Sequence, residues 1–256
     1  MNDLLLDVRY ALRVLRKSPA FTIAAVLTLT LTIGANIVVF GVINGVLLQP
    51  LAVSEPHNLF QIRLQPWTSG KALTTSYPAF EDYRQRNTTF SDLAGYYGFS
   101  SGRLRWSHTV KNVSGHSITA NYFEFLGAQP QVGRLIQSAD DRGPNSAPYM
   151  VLSDRLWRTA FNADPGVVGT EVRLGKDPFT VVGVAPAWFH GTERFEWPEY
   201  WIPVVNHFNA KYLQDRKGRP LTVLGRLKPG VTPERAAEDL SAIAAQLAKE
   251  YPTTDT

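Results

Sequence analysis

The chain has 256 residues, 44% of them hydrophobic and 19% charged, with a formal net charge of +4, a composition typical of a globular protein. It contains no cysteine, which excludes disulfide scaffolds, thiolate zinc sites and cysteine nucleophiles. Its basic residues are scattered, whereas nucleic-acid binding needs a concentrated basic face to displace counterions, so we expect no nucleic-acid partner.

Residues 1–19 predict a short amphipathic helix on the cytoplasmic side of a membrane. In "NDLLLDVRYALRVLRK" the apolar residues recur at helical spacing opposite the charged ones, and Pro19 separates this segment from the apolar run after it. Such a helix lies in the membrane interface with its basic face toward anionic lipid or a cytoplasmic partner. The alternative is a plain basic flank whose periodicity is accidental.

Residues 20–50 contain no charged side chain and predict a transmembrane helix. A helix of about 29 residues is roughly 43 Å long, at 1.5 Å per residue. A bilayer core needs about 20 residues and the apolar core of a signal peptide only about 7 to 15. Small residues at Ala52 and Ser54 keep a cleavage site as an alternative, and a buried helix of a soluble protein is a third. The length favours a retained anchor.

The charges that flank the span predict its orientation. Arg9, Arg13, Arg16 and Lys17 precede the span, whereas the first basic residue after it is Arg63. An excess of Lys and Arg marks the cytoplasmic side of a membrane. We therefore expect a cytoplasmic N-terminus and, in a bacterial inner membrane, a periplasmic location for everything after about residue 50.

Four small residues within the span predict a face for packing against other membrane helices. Thr30, Gly34, Gly41 and Gly45 fall close to one side of the helix, and the last two form a GxxxG motif. Small residues let a second transmembrane helix approach closely. Glycine is also frequent in membrane helices in general, which is the alternative explanation.

The remaining residues, 51–256, predict one mixed α+β domain. "NLFQIRL", "YWIPV" and "PLTVLGRL" have the pattern of strands, and "VVGTEVRLGKDPFTVVGVAP" predicts a hairpin that turns at "GKD". Helices are expected after Ser76 and Ser153, whose hydroxyls cap helix N-termini. The last helix is expected after Thr232 and Pro233, with Leu240, Ile243, Ala244 and Leu247 as its buried stripe.

A strand followed by a helix occurs near both ends of this domain. We therefore expect the two ends to build one α/β lobe, with a β-rich lobe inserted at about residues 105–205. The fold class is thus α+β, with one N-terminal transmembrane helix.

The sequence predicts no catalytic site, no cofactor and no metal site. HExxH, GxSxG and GxGxxG motifs are all missing from it. His190, Glu193 and Glu196 stand together in "HGTERFE", but the glycine and the aromatic surroundings indicate a loop. Two aromatic segments, "AWFHGTERFEWPEYW" and "AGYYGF", are expected mainly in the core, with a ligand groove as the alternative.

Several segments together resemble one known family. The first fifty residues are similar to the start of permeases in the MacB/FtsX superfamily of ABC transporters, especially the duplicated permeases of acidobacteria. "ITANYFEFLGAQPQVGR", "VLSDRLWRTAF", "VVGTEVRLGKDPFTVVGVAP" and "YWIPV" resemble successive landmarks of the MacB-like periplasmic core domain. The resemblance covers nearly the whole chain, in the order of the family.

The resemblance implies a role in transport without an active site in this chain. A cytoplasmic ABC ATPase would hydrolyse ATP, and the first membrane helix would carry the motion outward for export or mechanotransmission. Other permease helices, in a dimer or a duplicated half, and membrane lipid are the remaining partners implied. Because the family needs at least three further spans, we expect the chain to be a fragment, a truncated product or an orphan domain. The alternative is a stand-alone anchored module that binds a ligand or acts as a sensor.

Overall fold

The computed structural model describes Tyr10, Arg13 and residues 15–43, 56–62, 74–193, 197–218 and 220–253. The chain divides into two compact units, residues 1–50 and 51–256. The first unit contains one long helix, α1, Pro19–Ile43. The second unit contains a sheet with helices packed on it.

The described strands of the second unit are β1 Leu59–Ile62, β2 Phe90–Trp106, β3 Thr109–Ile118, β4 Val132–Gly133, β5 Tyr149–Leu152, β6 Glu171–Leu174, β7 Asp177–Val184, β8 Tyr200–Pro203 and β9 Thr222–Leu227. Its described α-helices are α2 Tyr77–Arg86, α3 Tyr122–Leu126, α4 Asp154–Ala160, α5 Val204–His207, α6 Ala210–Gln214 and α7 Pro233–Glu250. Short 3-10 helices cover Pro56–Asn58, Ser138–Asp140 and Pro165–Val167.

The nine described strands belong to one mixed sheet, in the order β1-β9-β2-β3-β8-β5-β7-β4, with β6 paired to both β2 and β7. Most neighbours are antiparallel, whereas β3–β8 and β5–β7 are parallel. The first unit and this α+β sheet domain together confirm the predicted fold class.

The two ends of the domain meet in this sheet, as the sequence predicted. β1 pairs antiparallel with β9, with Leu59 opposite Arg226, and β9 pairs antiparallel with β2. Helices α2 and α7 contribute to one hydrophobic cluster with these strands, through residues such as Phe80 and Ile243. Burial of this shared core, at about 25 cal/mol per Å² of apolar surface, holds the two ends together.

The middle of the domain has a hydrophobic core of its own. Every fully buried residue of this cluster lies between Leu104 and Ile202, which agrees with a β-rich insertion. A third cluster draws residues from strands of both parts and includes Tyr122 and Trp201, both fully buried. The insertion nevertheless continues the same sheet, since β2 passes without interruption from Phe90 to Trp106.

The predicted helix caps are present. The side chains of Ser76, Ser153 and Thr232 each accept a hydrogen bond from a backbone N–H three residues later. The stripe on α7 is also confirmed, because Ile243 and Leu247 are buried while its other two members pack against the same cluster.

Both hairpins of the domain have turns that suit their geometry. In the predicted hairpin, Leu174 lies opposite Asp177, and Gly175 takes a positive φ of 64° that a tight two-residue turn requires. The sequence did not predict that β2 continues through "SSGRLRW" into a second hairpin. In this segment Leu104 and Trp106 alternate with Arg103 and Arg105, as in a half-buried strand, and every residue from Ser100 to Trp106 pairs with β3.

One carboxylate fastens α7 to the loop between α2 and β2. Asp239 accepts hydrogen bonds from the backbone N–H and the hydroxyl of both Thr88 and Thr89, at 2.8 to 3.2 Å. Burial opposes the ionisation of Asp239, but these hydrogen bonds outweigh it and hold the pKa of the carboxyl below its usual value. The ionised carboxylate therefore stabilises the folded domain.

We predict that Asp239→Asn lowers the free energy of unfolding at pH 7 by about 1–3 kcal/mol, because an amide cannot accept all four hydrogen bonds. A carboxyl with a lowered folded-state pKa stabilises above its unfolded pKa, about 3.9, and this contribution is lost as pH falls through the folded value. Urea unfolding of wild type and variant from pH 7 to pH 3 tests this. Equal stability at pH 7, or a difference that grows toward pH 3, would contradict the assignment. Glu238→Gln, on the neighbouring exposed position, is the control.

Candidate functional site

Helix α1 has the length and surface of a membrane span. Residues Pro19–Gly41 have a mean hydropathy of 2.2, and among the described residues none of that apolar stretch is buried. The 25 residues of the helix are roughly 37 Å long, which exceeds the ~30 Å hydrocarbon core of a bilayer. Large side chains such as Leu31 and Ile37 are 77% and 66% exposed. In water such a surface would be unfavourable, whereas lipid or other membrane helices would cover it.

Three threonine hydroxyls of α1 are satisfied within the helix. The hydroxyls of Thr28, Thr30 and Thr32 donate to the carbonyl oxygens four residues earlier, at 2.8 to 2.9 Å. Lipid offers no hydrogen-bond partner, so a spanning helix must satisfy such groups internally. These threonines therefore present a small, largely apolar surface to their surroundings.

At the start of α1, other donors replace the backbone hydrogen bond that Pro19 cannot make. Proline has no N–H to donate to the carbonyl of Leu15 four residues earlier. The hydroxyl of Thr22 donates to that oxygen at 2.8 Å, and the backbone N–H of Ser18 approaches it at 3.3 Å. The helical residues before Ser18 are thereby joined to α1 through side-chain and backbone hydrogen bonds.

Three members of the predicted packing face lie on the described part of the helix. At 100° per residue, Thr30, Gly34 and Gly41 lie within about 40° of one another around the helix axis. A Cβ added at Gly34 or Gly41 would meet no atom of the described residues within 4 Å, apart from the neighbouring helix backbone. Gly45 lies outside the described residues. The structure thus leaves this face open, and whether another helix packs on it stays a prediction.

The basic flank is exposed to its surroundings. Arg13, Arg16 and Lys17 have helical backbone and exposed side chains, whereas Arg9 lies outside the described residues. The predicted amphipathic helix over residues 1–19 is described only in part, so its apolar face stays a prediction.

In the domain, a charged network fixes the C-terminal end of α7. The guanidinium of Arg86 donates two hydrogen bonds to the carboxylate of Glu250, at 2.7 and 2.8 Å. Asp82 accepts from Arg86 and from Arg216, and the Arg216 guanidinium lies 3.5 Å from the ring centroid of Tyr251. A guanidinium that donates two hydrogen bonds to one carboxylate fixes the direction of the contact as well as its distance. The network joins α7 to α2 at the point where the chain leaves the last helix.

The histidine and acid group in "HGTERFE" belongs to a packed loop. The ring of His190 stacks on Trp197 at 4.1 Å, and burial lowers its pKa. Glu193 accepts a hydrogen bond from the Tyr96 hydroxyl, and Glu196 lies outside the described residues. Over the part of the chain that the structure describes, no three metal-binding side chains converge.

Four of the seven aromatic residues of the two segments whose side chains the structure describes are buried in the core: Tyr96, Phe189, Tyr200 and Trp201. Phe189 and Trp201 are at most 2% exposed and contact each other and Phe123. Trp188 and Trp197, in contrast, are 46% and 56% exposed. This arrangement fits core packing better than a continuous aromatic ligand groove.

Comparison with known proteins places this architecture in a family. The family model of the MacB-like periplasmic core domain matches residues 22–243, which includes most of the apolar helix and nearly all of the domain. No curated protein matches the chain.

Three solved structures have a similar fold at low sequence identity. The periplasmic region of MacB from Actinobacillus actinomycetemcomitans aligns with a TM-score of 0.57 at 16% identity, covering 79% of this chain and 87% of that one. The extracellular domain of the noncanonic ABC-type transporter YknZ from Gram-positive bacteria aligns at 0.52 and 13%, covering 77% and 97%. A domain described as part of a permease protein from Porphyromonas gingivalis aligns at 0.55 and 13%, covering 71% and 76%.

The family match, the shared fold and the exposed apolar helix agree with one another. Since the family model covers most of the sequence, the chain belongs to the MacB-like periplasmic core domain family of ABC transporter permeases.

Proposed function

We propose that this chain is the membrane-anchored periplasmic part of an ABC-type permease. A separate cytoplasmic ATPase hydrolyses ATP, α1 carries the resulting motion across the membrane, and the sheet domain moves in response, for export or mechanotransmission. The role assigned to the chain is not catalytic. The observation that carries the proposal is the membrane-length apolar helix within the same family match as the domain.

The helix has properties suited to transmitting motion. It is longer than a bilayer core, and Thr22 supports the backbone where Pro19 would otherwise weaken it. Sharp kinks in helices occur mostly at proline, and the one proline of α1, Pro19, is its first residue. These features support a rigid α1 that moves as a unit.

In the domain, helix α7 is fastened to its neighbours at two points. Asp239 fastens the middle of α7 to the loop before β2, and the Arg86–Glu250 pair fastens its end. Because α7 and β1 also share a hydrophobic cluster, the first strand and the last helix of the domain are tied to the same core. A displacement of β1 or of α7 would therefore move the sheet as well.

The exposed apolar surface of α1 is an argument that other permease helices bind to it, in a dimer or a duplicated half. Thr30, Gly34 and Gly41 would form the contact because small residues allow close approach, and lipid would cover the larger side chains around them. The basic residues at the start support a cytoplasmic N-terminus, near the ATPase and anionic lipid headgroups.

Orientation and the ATPase partner can be tested with single thiols. The chain has no cysteine, so Lys17→Cys and Lys176→Cys each introduce one thiol, the second in the exposed β6–β7 turn. In intact cells a membrane-impermeant maleimide should label Lys176→Cys only. A thiol-reactive crosslinker on Lys17→Cys should give adducts that contain an ABC ATPase by mass spectrometry, with Lys176→Cys as the control. The reverse labelling pattern, or no ATPase in the Lys17→Cys adducts, would contradict the proposal.

The small-residue face of α1 can be tested by adding bulk to it. Gly34→Ile should reduce crosslinking between membrane helices severalfold, since a branched side chain prevents close approach. No atom of the described residues beyond the neighbouring helix backbone lies within 4 Å of a Cβ added at Gly34, so we expect the substitution to leave the packing of that part of the chain intact. Ala25→Ile is the matched control, because nine residues place it about 180° around the helix. If both variants crosslink like wild type, the face is not an interface.

Transmitted motion can be tested by measuring distances between domains. A spin label on Lys176→Cys, in vesicles that also contain the ATPase, reports distances between the domains of two copies. The distance distribution should shift with ATP and vanadate but not with ADP. An unchanged distribution in a preparation that hydrolyses ATP would rule out transmission to the domain.

A further inference from the structure

Three arginines from two separate strands lie side by side on the outer face of the sheet. Arg103 and Arg105 are two residues apart on β2, and β6 pairs with β2 so that Arg173 is directly opposite Arg105. Successive side chains of a strand point to opposite faces, and directly paired residues share a face. Leu104 and Val172, the neighbours of these arginines along the strands, are buried in the core of the insertion. All three arginines are therefore on the exposed face.

The positive charges on this face are poorly compensated. The Arg105 guanidinium donates to the carbonyl oxygen of Gly175, which carries no net charge. Arg173 lies 3.9 Å from the carboxylate of Glu171, and 58% and 66% of these two side chains are exposed. Within the described part of the chain, Arg103 has no ion-pair partner. Because like charges directly opposite each other on neighbouring strands destabilise a sheet, the arrangement indicates a use for the charge.

Hydrogen-bonding side chains lie beside the arginines on the same face. β3 places Asn112 opposite Arg103 and Ser114 opposite Ser101, and these four residues line part of an open groove. Glu199 also lines the groove, but the lysine of β3 donates to its carboxylate at 2.9 Å. The charge that remains uncompensated in the groove is that of Arg103.

The spacing of the arginines along β2 matches an extended acidic peptide. Residues two apart on a strand are separated by about 6.8 Å, at about 3.4 Å per residue. A peptide that lies extended along β2 presents every second side chain at the same interval. A planar guanidinium can donate two parallel hydrogen bonds to one carboxylate, so alternate acids of the peptide suit Arg103 and Arg105.

The pairing of β2 decides how such a peptide would lie. At Leu104 and Arg105, β2 pairs with β3 on one edge and with β6 on the other. The peptide therefore lies across the face of the strands and does not extend the sheet. Polar side chains around the arginines favour a peptide over an anionic membrane, whose binding draws on apolar side chains that insert beside the basic ones.

We propose that this arginine face binds an extended acidic segment of a partner protein, in which Asp or Glu alternates with small polar residues. One carboxylate binds Arg103, and the next lies between Arg105 and Arg173 and relieves the repulsion between them. Asn112 and Ser101 donate to the peptide backbone. The proposal rests on the face of the sheet and does not depend on the transport function.

Peptide binding to the whole chain in a non-ionic detergent tests the spacing. The probe is the fluorescein-labelled peptide "GESESESSG", and its control, "GESSESSEG", has the same composition but acids three residues apart, which point to opposite faces when the peptide is extended. By fluorescence anisotropy the alternating peptide should bind at least about threefold more tightly than the control. Its binding should weaken as the salt concentration rises from about 0.05 to 0.5 M, since exposed charges are screened.

Single substitutions test the residues. Arg103→Gln, Arg105→Gln and Arg173→Gln should each weaken binding of the alternating peptide about fivefold or more, because each removes a charged donor. Arg235→Gln, at an exposed position of α7, removes the same charge and should leave binding within about twofold of wild type. Arg173→Gln should unfold thermally at or above the wild-type temperature, since it removes a like-charge pair.

A charge reversal gives a gain of binding that a folding defect cannot mimic. The double variant Arg103→Glu/Arg105→Glu should lose the alternating acidic peptide and bind "GKSKSKSSG" more tightly than wild type does.

Three outcomes would overturn the proposal. Equal binding of the two acidic peptides would show that the spacing is not read. Binding that is unchanged in the three glutamine variants would place the peptide elsewhere. Displacement of the peptide by polyphosphate, or by a water-soluble short-chain phosphatidylglycerol, at lower concentration than by unlabelled peptide would assign the face to phosphate-bearing ligands instead.

Discussion

The pairing of β9 with both β1 and β2 is the constraint on which the domain depends. β1 lies at the start of the domain and β9 more than 150 residues later, yet Leu59 faces Arg226 across the sheet. Closing so long a loop costs entropy that rises only slowly with its length, and the shared core of α2, α7 and these strands offsets that cost. The insertion can therefore be large, provided that β2 and β9 stay adjacent.

The membrane helix obeys a different constraint, which is that no polar group can be left for lipid to satisfy. The Thr22 hydroxyl at the Pro19 junction and the hydroxyls farther along the helix all bond to carbonyls of their own segment. Gly34 and Gly41 add no side chain, so they leave one side of this largely apolar helix with less bulk than the rest.

The pairing of the two ends of the domain and the internal hydrogen bonding of the helix both suit a permease. In the proposed transport role, the helix would carry displacement across the membrane, and a domain whose first strand and last helix share one core would respond as a body. Charged groups reinforce this at the surface of the domain, through Asp239 and the Arg86–Glu250 pair. Since exposed ion pairs contribute little individually, their role is to position α7 rather than to supply most of the stability.

The sequence by itself determined the features that depend on neighbouring residues. The uncharged run, the caps at Ser76, Ser153 and Thr232, and the turn at Gly175 all arise from local patterns, and the structure contains each of them. The repeated strand–helix pattern also indicated that the two ends of the domain meet. These signals are short-range because capping, turn geometry and lipid solubility act within a few residues.

Only the tertiary structure decided the features that depend on distant partners. It showed that β2 continues as far as Trp106, where it pairs with β3, that Glu193 accepts a hydrogen bond from the Tyr96 hydroxyl, and that Tyr122, Phe123 and Trp201 meet in the core. It also showed that β1 stands at the edge of the sheet beside an apolar groove. No local pattern encodes these facts, because pairing and burial are set by residues far away in the sequence.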